Sequence, residues 1–585
     1  MKKTKIICTV GPASDNREII KSLIEAGMDA SRHNFSHGDH AEHKIRMDLV
    51  KDLRAEHNKH IAIILDTKGP EIRTGNFAAG KVELKEGAKF TIVCDEEVVG
   101  DETICSVTYG ELYKDVNIND TILIDDGLVG LLVNDIKAKR IYCVVANTGM
   151  IGNHKGVNVP GVSINLPSLT EQDIEDLKFG ASQEVDIVAA SFVRKAADVL
   201  HIRRVLNENG GEDIQIFSKI ENREGVNNID DIIKFSDGIM VARGDLGVEI
   251  PTEEVPIVQK MIIEKCNIAG KAVITATQML DSMMRNPRPT RAESSDVANA
   301  IFDGTDAIML SGETASGKYP VETVMIMSKI AQSAEDALDY TQNLKKKRKQ
   351  HIPNVPNAIS LATCSTAMEL NASAIITATQ SGNTARKVST YRPECPVIAV
   401  TPYEKVARSL ALNWGVIPIC AEKSNSTDEL IDKSVKIALQ SGIVEKGDLV
   451  VIAAGIPVNF VGSTNMMKVH IVGNILLQGK GNIGKSAYGT AHYTRNIKEA
   501  NDTLSDGDIL VVETLTNDYL DIIDRVSGII VEKGEPSANV LIICTTKEIP
   551  IIYNAKGATD IIKTGSFITM NTSRGIVYSG RANTK

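Results

Sequence analysis

No stretch of the 585-residue sequence approaches the roughly 18 consecutive apolar residues of a membrane helix, so no membrane span is expected. The basic start is followed by only a short apolar run, residues 6–10, before Gly11 and Pro12; a secretory leader needs a longer one. Basic charge is in deficit, with 65 Lys and Arg against 75 Asp and Glu and a formal net charge of −10. This argues against a nucleic-acid binder, which wants a basic face, but leaves room for a local basic pocket that takes a phosphorylated small molecule. No Cys-x-x-Cys pair and no Cys/His metal spacing occurs. The nine cysteines, at 8, 94, 105, 143, 266, 364, 395, 420 and 544, are scattered and odd in number, which fits a reducing, cytoplasmic setting.

The residues present can bury a sizeable core: 43% are hydrophobic and 24% charged. At roughly 150 residues per domain, the length suggests about four domains. Eight apolar runs, each followed by a helical period, lie at residues 6–11, 28–36, 61–67, 185–191, 214–221, 238–245, 272–278 and 307–313. Continuous apolar strands alternating with helices imply a parallel sheet covered on both faces, and eight repeats are the count of a closed (β/α)8 TIM barrel. An open doubly wound sheet is the alternative. The gap between the third and fourth runs reads as alternating strands (KVELKEGAKFTIVC, DTILIDDGLVGLLVNDI, KRIYCVVANTG), an inserted small all-β barrel acting as a lid, bracketed by Pro70 and Pro167. The expected division is therefore 1–69 with 168–340 for the barrel, 70–167 for the lid, 341–474 for an open α/β domain, and 475–585 for an extra C-terminal β/β/α-like domain. The basic run 345–349 reads as a solvated face or linker. In the C-terminal part, DILVVET, GIIVEKG, NVLIIC, PIIYNA and SFITMN read as short strands.

In a barrel of this kind the active site lies at the C-terminal strand ends. There the sequence delivers Thr9; Arg32, Asn34 and Ser36; Asp66 and Thr67; Ser191; Lys219 and Glu221; Asp245; Thr277 and Gln278; Ser311 and Glu313. Capping accounts for Ser191 and Ser311 but not for Lys219 and Arg32 beside several carboxylates. Glu221 and Asp245 end neighbouring runs, about 5 Å apart if both are on strands, and two such carboxylates repel unless a cation joins them. Mg²⁺ is commonly held this way. Lys219, two residues before Glu221, shares its face. With Arg32 and Arg73 it makes a dense positive site suited to a phosphoryl group in transit. Asn34, Ser36, Asp66 and Thr67 suit a larger monovalent cation, or they are caps. Residues 479–486 match G-x-x-x-x-G-K-[ST], yet Ala487-Tyr488-Gly489 just after them is a poor helix start, so a Gly-rich linker is expected. Residues 312–318 are a near miss, read as a tight turn.

Long segments then carry a resemblance: KIICTVGPAS, GMDASRHNFSHGDH, ILDTKGPEIRTG, DDGL, HKGVNVPG, SFVRKAADV, SKIENREG, MVARGDLGVEIP, ITATQML, RPTRAESSDVANAIFDGTDAIMLSGETASGKYP and NMMKVH. The chain resembles the pyruvate kinase family, in the bacterial form with an extra C-terminal domain similar to the mobile domain of phosphoenolpyruvate-utilising enzymes. The resemblance implies a glycolytic phosphotransferase that moves a phosphoryl group from phosphoenolpyruvate to ADP, giving pyruvate and ATP, with Mg²⁺ (or Mn²⁺) and K⁺. It further implies Glu221 and Asp245 as Mg²⁺ ligands, Lys219 as the phosphoryl-stabilising lysine, and Arg32 and Arg73 as phosphate-binding arginines. Asn34, Ser36, Asp66 and Thr67 become the K⁺ site, and Glu71 marks K⁺-requiring members. Thr277 is tied to protonation of the enolate, and the backbone around Gly244 and Asp245 receives the substrate carboxylate. Asn34, His37, Arg73 and Lys155 become nucleotide contacts, and Thr379, Ser381, Asn383 and Thr384 the pocket of a phosphorylated allosteric effector. A homotetramer is also implied. Two features depart from the family: Ser31 and His33 flank Arg32 where apolar residues are more usual, and Ala538 stands in GEPSANV where mobile domains carry a phosphohistidine. A pyruvate-enolate lyase or aldolase on the same barrel, or a catalytically impaired metabolite sensor, are the alternatives.

Overall fold

The computed structural model describes residues 1–350, 352–424, 426–456, 464–473 and 475–582. It divides into two compact units, residues 1–361 with 379–422, and residues 362–378 with 423–585.

In the first unit the eight expected runs are strands: β1 (Lys5–Thr9), β2 (Ala30–Asn34), β3 (Ala62–Asp66), β4 (Ile187–Ala190), β5 (Gln215–Ile220), β6 (Gly238–Ala242), β7 (Ala272–Ala276) and β8 (Ala307–Leu310). They pair in parallel and close in the order β1-β8-β7-β6-β5-β4-β3-β2. Closure makes every strand bury two faces. Outward side chains such as Ile6, Ile63, Val188 and Ile239 pack under the helices. Inward ones such as Ile7, Ile64, Phe217, Met240 and Met309 fill the cylinder. The interior is tight: Phe217 of β5 faces Gly238 of β6, where a Cβ would lie 2.3 Å from the ring. Helix ends follow local chemistry. Thr290 and Glu293 form a capping box at the helix Arg291–Asp303, which stops at Gly304 in the left-handed region. The basic run lies on a helix, Tyr340–Gln350, with Lys346 paired to Glu264 at 3.1 Å.

Residues 68–167 interrupt the barrel with strands, as expected. A six-stranded sheet runs Val157–Asn158, Thr121–Ile124, Val129–Lys137, Arg140–Val145, Lys89–Val93, Ile104–Ser106, and Gly149–Gly152 pairs with Lys81–Leu84. They enclose their own core, including Phe90, Ile122, Leu131 and Ile141. At the opposite, N-terminal end of the barrel strands, residues 379–422 supply Ala411 and Leu412 to the barrel's inner core. Arg392 pairs with Asp306 at 2.8 Å and Arg408 with Asp186 at 2.7 Å.

The second unit holds Ala374–Ala378 parallel to Leu449–Ala454, with Met466–Ile471 antiparallel on its other side. It also holds an eight-stranded mixed sheet formed from residues 475–579. NVLIIC, expected as a strand, is helical over Ala538–Thr546: the Ser537 hydroxyl accepts from the Val540 N–H and starts a helix before the apolar run. Residues 479–486 are not a linker but sheet, with strands Lys480–Gly481 and Ser486–Tyr493. No helix starts there, and Lys485 pairs with Glu548, so the pattern builds no phosphate loop.

Candidate active site

Lys219 lies on β5 and Glu221 just past its end. The two side chains share one face and meet at 3.0 Å (Nζ to Oε1). The same ammonium lies 3.0 Å from Asp66 Oδ1, at the end of β3, and donates to Ser191 Oγ at 2.7 Å, beyond β4. Asp66 Oδ2 accepts from Arg32 Nε at 2.5 Å, and Arg32 also donates to Thr9 Oγ1 at 3.1 Å. The ends of β1 to β5 are thus joined by one buried network.

Its two carboxylates differ. Burial raises both, but Asp66 lies between the Arg32 and Lys219 charges and is held below the usual carboxylate range. Glu221, also buried, is pushed up to about 7: burial dominates, Lys219 opposes it, and the Asp245 charge raises it further. Lys219 stays charged, raised above its ordinary value, because Asp66 and Glu221 outweigh the burial that works against it. Glu221 Oε2 accepts from the Phe192 N–H at 2.5 Å, and Phe192 adopts φ +54° to present it.

Asp245 corrects one expectation. It is not a strand end: β6 stops at Ala242, and Arg243–Glu249 is a short helix with Asp245 in its first turn. The strand-to-strand spacing therefore does not apply, although its charge acts on both Glu221 and Lys219. The carboxyl groups of Glu221 and Asp245, with the second beside open space, fit a hard divalent cation: one buried anion lacks enough positive charge and a second anion aggravates it.

Asp245 lines a cleft of about 440 Å³ together with Arg73, Lys155, Asn222, Arg223 and Glu249. Arg73 is held by Glu71 at 2.8 Å and by the His154 carbonyl at 2.9 Å, and Lys155 by Asp125 at 2.9 Å. The inserted segment thus presents two cations to the cleft, while Arg32 belongs to the inner network. Gly244 N–H donates to Thr277 Oγ1 at 2.7 Å. Thr277 and Gln278 follow β7 at φ +69° and +53°, held in part by Arg243, which donates to the Thr277 carbonyl at 2.8 Å and pairs with Asp296.

Asn34 stands opposite Asp66 in register, and its Oδ1 accepts from the Ser36 N–H at 3.3 Å. Thr67 Oγ1 accepts from the Ser191 N–H at 3.1 Å. These four oxygen-bearing residues gather at the ends of β2 and β3, but Asp66 already serves two cationic side chains. His37 is exposed after β2, and neither it nor Asn34 lines the cleft that holds Arg73 and Lys155. Glu313 is engaged by backbone: it sits in the helix Gly312–Ala315 and accepts from the Leu280 and Ser311 N–H groups, joining the segments that follow β7 and β8. Ser191, read as a cap, instead orients Lys219 and donates to the Thr67 carbonyl at 2.5 Å. Nothing in its local sequence separates the two roles. Thr379 Oγ1 accepts from the Gly382 N–H at 2.9 Å, and Arg386 donates to the Ser381 carbonyl, so residues 379–384 form a closed loop before the helix Asn383–Thr390.

Ser31 and His33 point away from the network. His33 is fully buried, 3.2 Å from Ser31 Oγ and edge-on to His43, and burial drives it down to about 3, so it is neutral. Alternation along β2 puts Arg32 and His33 on opposite faces, and the departure leaves the mouth intact.

The family description "Pyruvate kinase, barrel domain" matches residues 1–324, "Pyruvate kinase, alpha/beta domain" residues 357–470, and "PEP-utilising enzyme, mobile domain" residues 504–575. The chain is 66% identical to a pyruvate kinase of Clostridium acetobutylicum over 81% of its length and all of the relative's. It is 51% identical to one of Sporosarcina psychrophila over all of both chains. A crystal structure of a pyruvate kinase from Cryptosporidium parvum superimposes with a TM-score of 0.77 at 41% identity, covering 80% of this chain and 96% of that one. Relatedness that runs from end to end, on a barrel whose mouth gathers a lysine, an arginine and paired carboxylates, leaves one conclusion: the chain belongs to the pyruvate kinase family.

Proposed function

We propose that the barrel mouth transfers the phosphoryl group of phosphoenolpyruvate to ADP, giving pyruvate and ATP. The observation that carries this is Lys219, a buried ammonium fixed between Asp66, Glu221 and Ser191, and acted on by the charge of Asp245, which lines the cleft. A phosphoryl group in flight spreads negative charge over its oxygens, and a fixed ammonium stabilises that charge without reorganising. Arg32 lies next to it, and Arg73 and Lys155 supply charge from the inserted segment for the substrate phosphates and the nucleotide. The Gly244 N–H takes the substrate carboxylate by exchanging its bond to Thr277 Oγ1, and the Thr277 hydroxyl, which donates to the Ala276 carbonyl at 2.6 Å, turns from that carbonyl to serve protonation of the enolate carbon. Residues 70–167 act as the lid that keeps water from replacing ADP as acceptor.

Glu221 and Asp245 are the residues that would hold Mg²⁺ (or Mn²⁺), and Asn34, Ser36, Asp66 and Thr67 those that would hold K⁺. Bound, these ions neutralise the phosphoryl and enolate oxygens. The four-part division at 69/70, 167/168, 340/341 and 474/475 belongs to the same proposal. It is supported by the separate cores of the barrel, the inserted segment and the C-terminal sheet. So does control by a phosphorylated effector at Thr379, Ser381, Asn383 and Thr384, supported by the polar loop at a helix start, and so does assembly as a homotetramer.

The test is a lactate-dehydrogenase-coupled assay of the purified chain with phosphoenolpyruvate, ADP, Mg²⁺ and K⁺. Pyruvate formation dependent on all four is expected. Its absence with every phosphorylated effector tried would reject the reading, and turnover of a hydroxy-oxoacid without ADP would favour the lyase.

A further inference from the structure

His60, Glu404 and Cys420 come from three places in the sequence and meet at the N-terminal end of the barrel, remote in chemistry from the mouth. His60 lies in the turn before β3. Glu404 opens the helix Glu404–Ser409, and Cys420 ends the strand Val416–Cys420. His60 Nδ1 is 3.3 Å from Glu404 Oε2, and one ligand atom from each of the three lies within 4.8 Å of the others. Among the described residues no other trio of His, Cys, Asp and Glu converges in this way. His60 is 14% exposed while Glu404 is 63% exposed, so one side of the cluster is anchored and the other faces solvent. All three belong to the same compact unit.

We propose that this cluster is a binding site for a borderline-soft divalent ion of the Zn²⁺ class, held by His60 Nδ1, Glu404 and Cys420 with a fourth position left to water. Imidazole, thiolate and carboxylate together are the donor set such an ion selects over Mg²⁺ or Ca²⁺, which take oxygen. Charge agrees. Binding moves one proton from the Cys420 thiol to solvent, and a thiolate, a carboxylate and a neutral imidazole then balance a dication. Nearby cations are already engaged: Arg408 and Arg54 share Asp186, and Lys405 lies 3.9 Å from Glu184. The ion would also tie the helix Glu404–Ser409 to the barrel. That helix contacts Arg386 through Ser409 Oγ at 2.9 Å, and Arg386 in turn closes the 379–384 loop.

The test uses the full chain, stripped with chelator and kept in saturating Mg²⁺ so that oxygen-ligand sites are filled. Co²⁺ is titrated and thiolate-to-metal charge-transfer absorption is read. One equivalent giving tetrahedral Co²⁺ bands is expected, with the thiolate band lost in Cys420→Ser and apparent affinity down at least tenfold in His60→Gln and Glu404→Gln. Zn²⁺ should raise the Tm of the parent chain and not of Cys420→Ser. Glu404→Gln alters a mostly exposed side chain and remains informative if either other variant folds poorly. The proposal is overturned by the absence of a thiolate band in the folded parent. It is equally overturned by a band or Tm shift that persists undiminished in Cys420→Ser and Glu404→Gln, which would place the ion elsewhere.

Discussion

On the β2–β3 side of the barrel mouth, Asp66 is enclosed by Arg32 and Lys219 and stays ionised well below the usual range. On the β5–β6 side, Glu221 shares the same lysine, has no arginine, and faces the charge of Asp245, so burial pushes it up to about 7. The residue types are alike and the burial is alike; the difference lies in the count of neighbouring cations. On the first side the carboxylate is already balanced by two cationic side chains. The second is short of one positive charge and is where an added cation does most.

The largest expected break in this comparison is Lys219→Met. It removes the ammonium common to both sides, and phosphoryl transfer should fall about 10³-fold or more, judged by what one fixed transition-state donor supplies. A fall of less than tenfold in the coupled assay, with circular dichroism unchanged, would refute the role. Next, Asp66→Asn and Glu221→Gln should separate stability from metal dependence. Asp66→Asn leaves the buried Arg32 without its carboxylate and Lys219 with Glu221 alone, and should cost about 3–5 kcal/mol in denaturant unfolding. Glu221→Gln should cost much less without added metal while weakening Mg²⁺ activation of turnover about 10²-fold. Equal stability losses would erase the contrast.

Ser191→Ala tests whether the lysine's orientation matters apart from its charge. A drop in kcat of about tenfold with KM little changed is expected, because of the hydrogen bonds lost the one to Lys219, worth about 1–1.5 kcal/mol, is the one that bears on the ammonium.

The smallest effect lies outside the mouth. His33 is depressed from 6.5 to about 3 in the folded chain. Below pH ~6.5 the unfolded chain binds a proton there that the native chain does not, so stability is present above that pH and is lost as pH falls toward 3. At pH ~5 this amounts to about 2 kcal/mol. His33→Leu should flatten that acid limb without changing turnover at neutral pH. An unchanged limb would show that another group sets it, His43 being the nearest candidate.

Much of the barrel and its mouth is legible in the order of residues alone. Eight apolar runs ending in polar residues gave the barrel and its mouth, because a strand buried on both faces has only its ends left for chemistry. The two-residue spacing of Lys219 and Glu221 gave a shared face. Other features were not legible. Asp245 reads as a strand end because only Arg243 and Gly244 separate it from the apolar run, and nothing in that short spacing shows that a helix begins at Arg243. The apolar run after Ser537 fits a short buried strand or a helix equally, and only the cap decides. Ser191 reads as a cap in one dimension; its partner Lys219 is 28 residues away and on the next strand.

The sequence by itself determined the period of its strands and helices, and through long motifs its kinship, because both depend on the order of residues along the chain. Only the tertiary structure decided which carboxylate is satisfied and which is short of charge, and which histidine, glutamate and cysteine meet beneath the barrel. Electrostatic energy depends on separation through space and on exclusion of water, and neither is defined until distant segments have packed together.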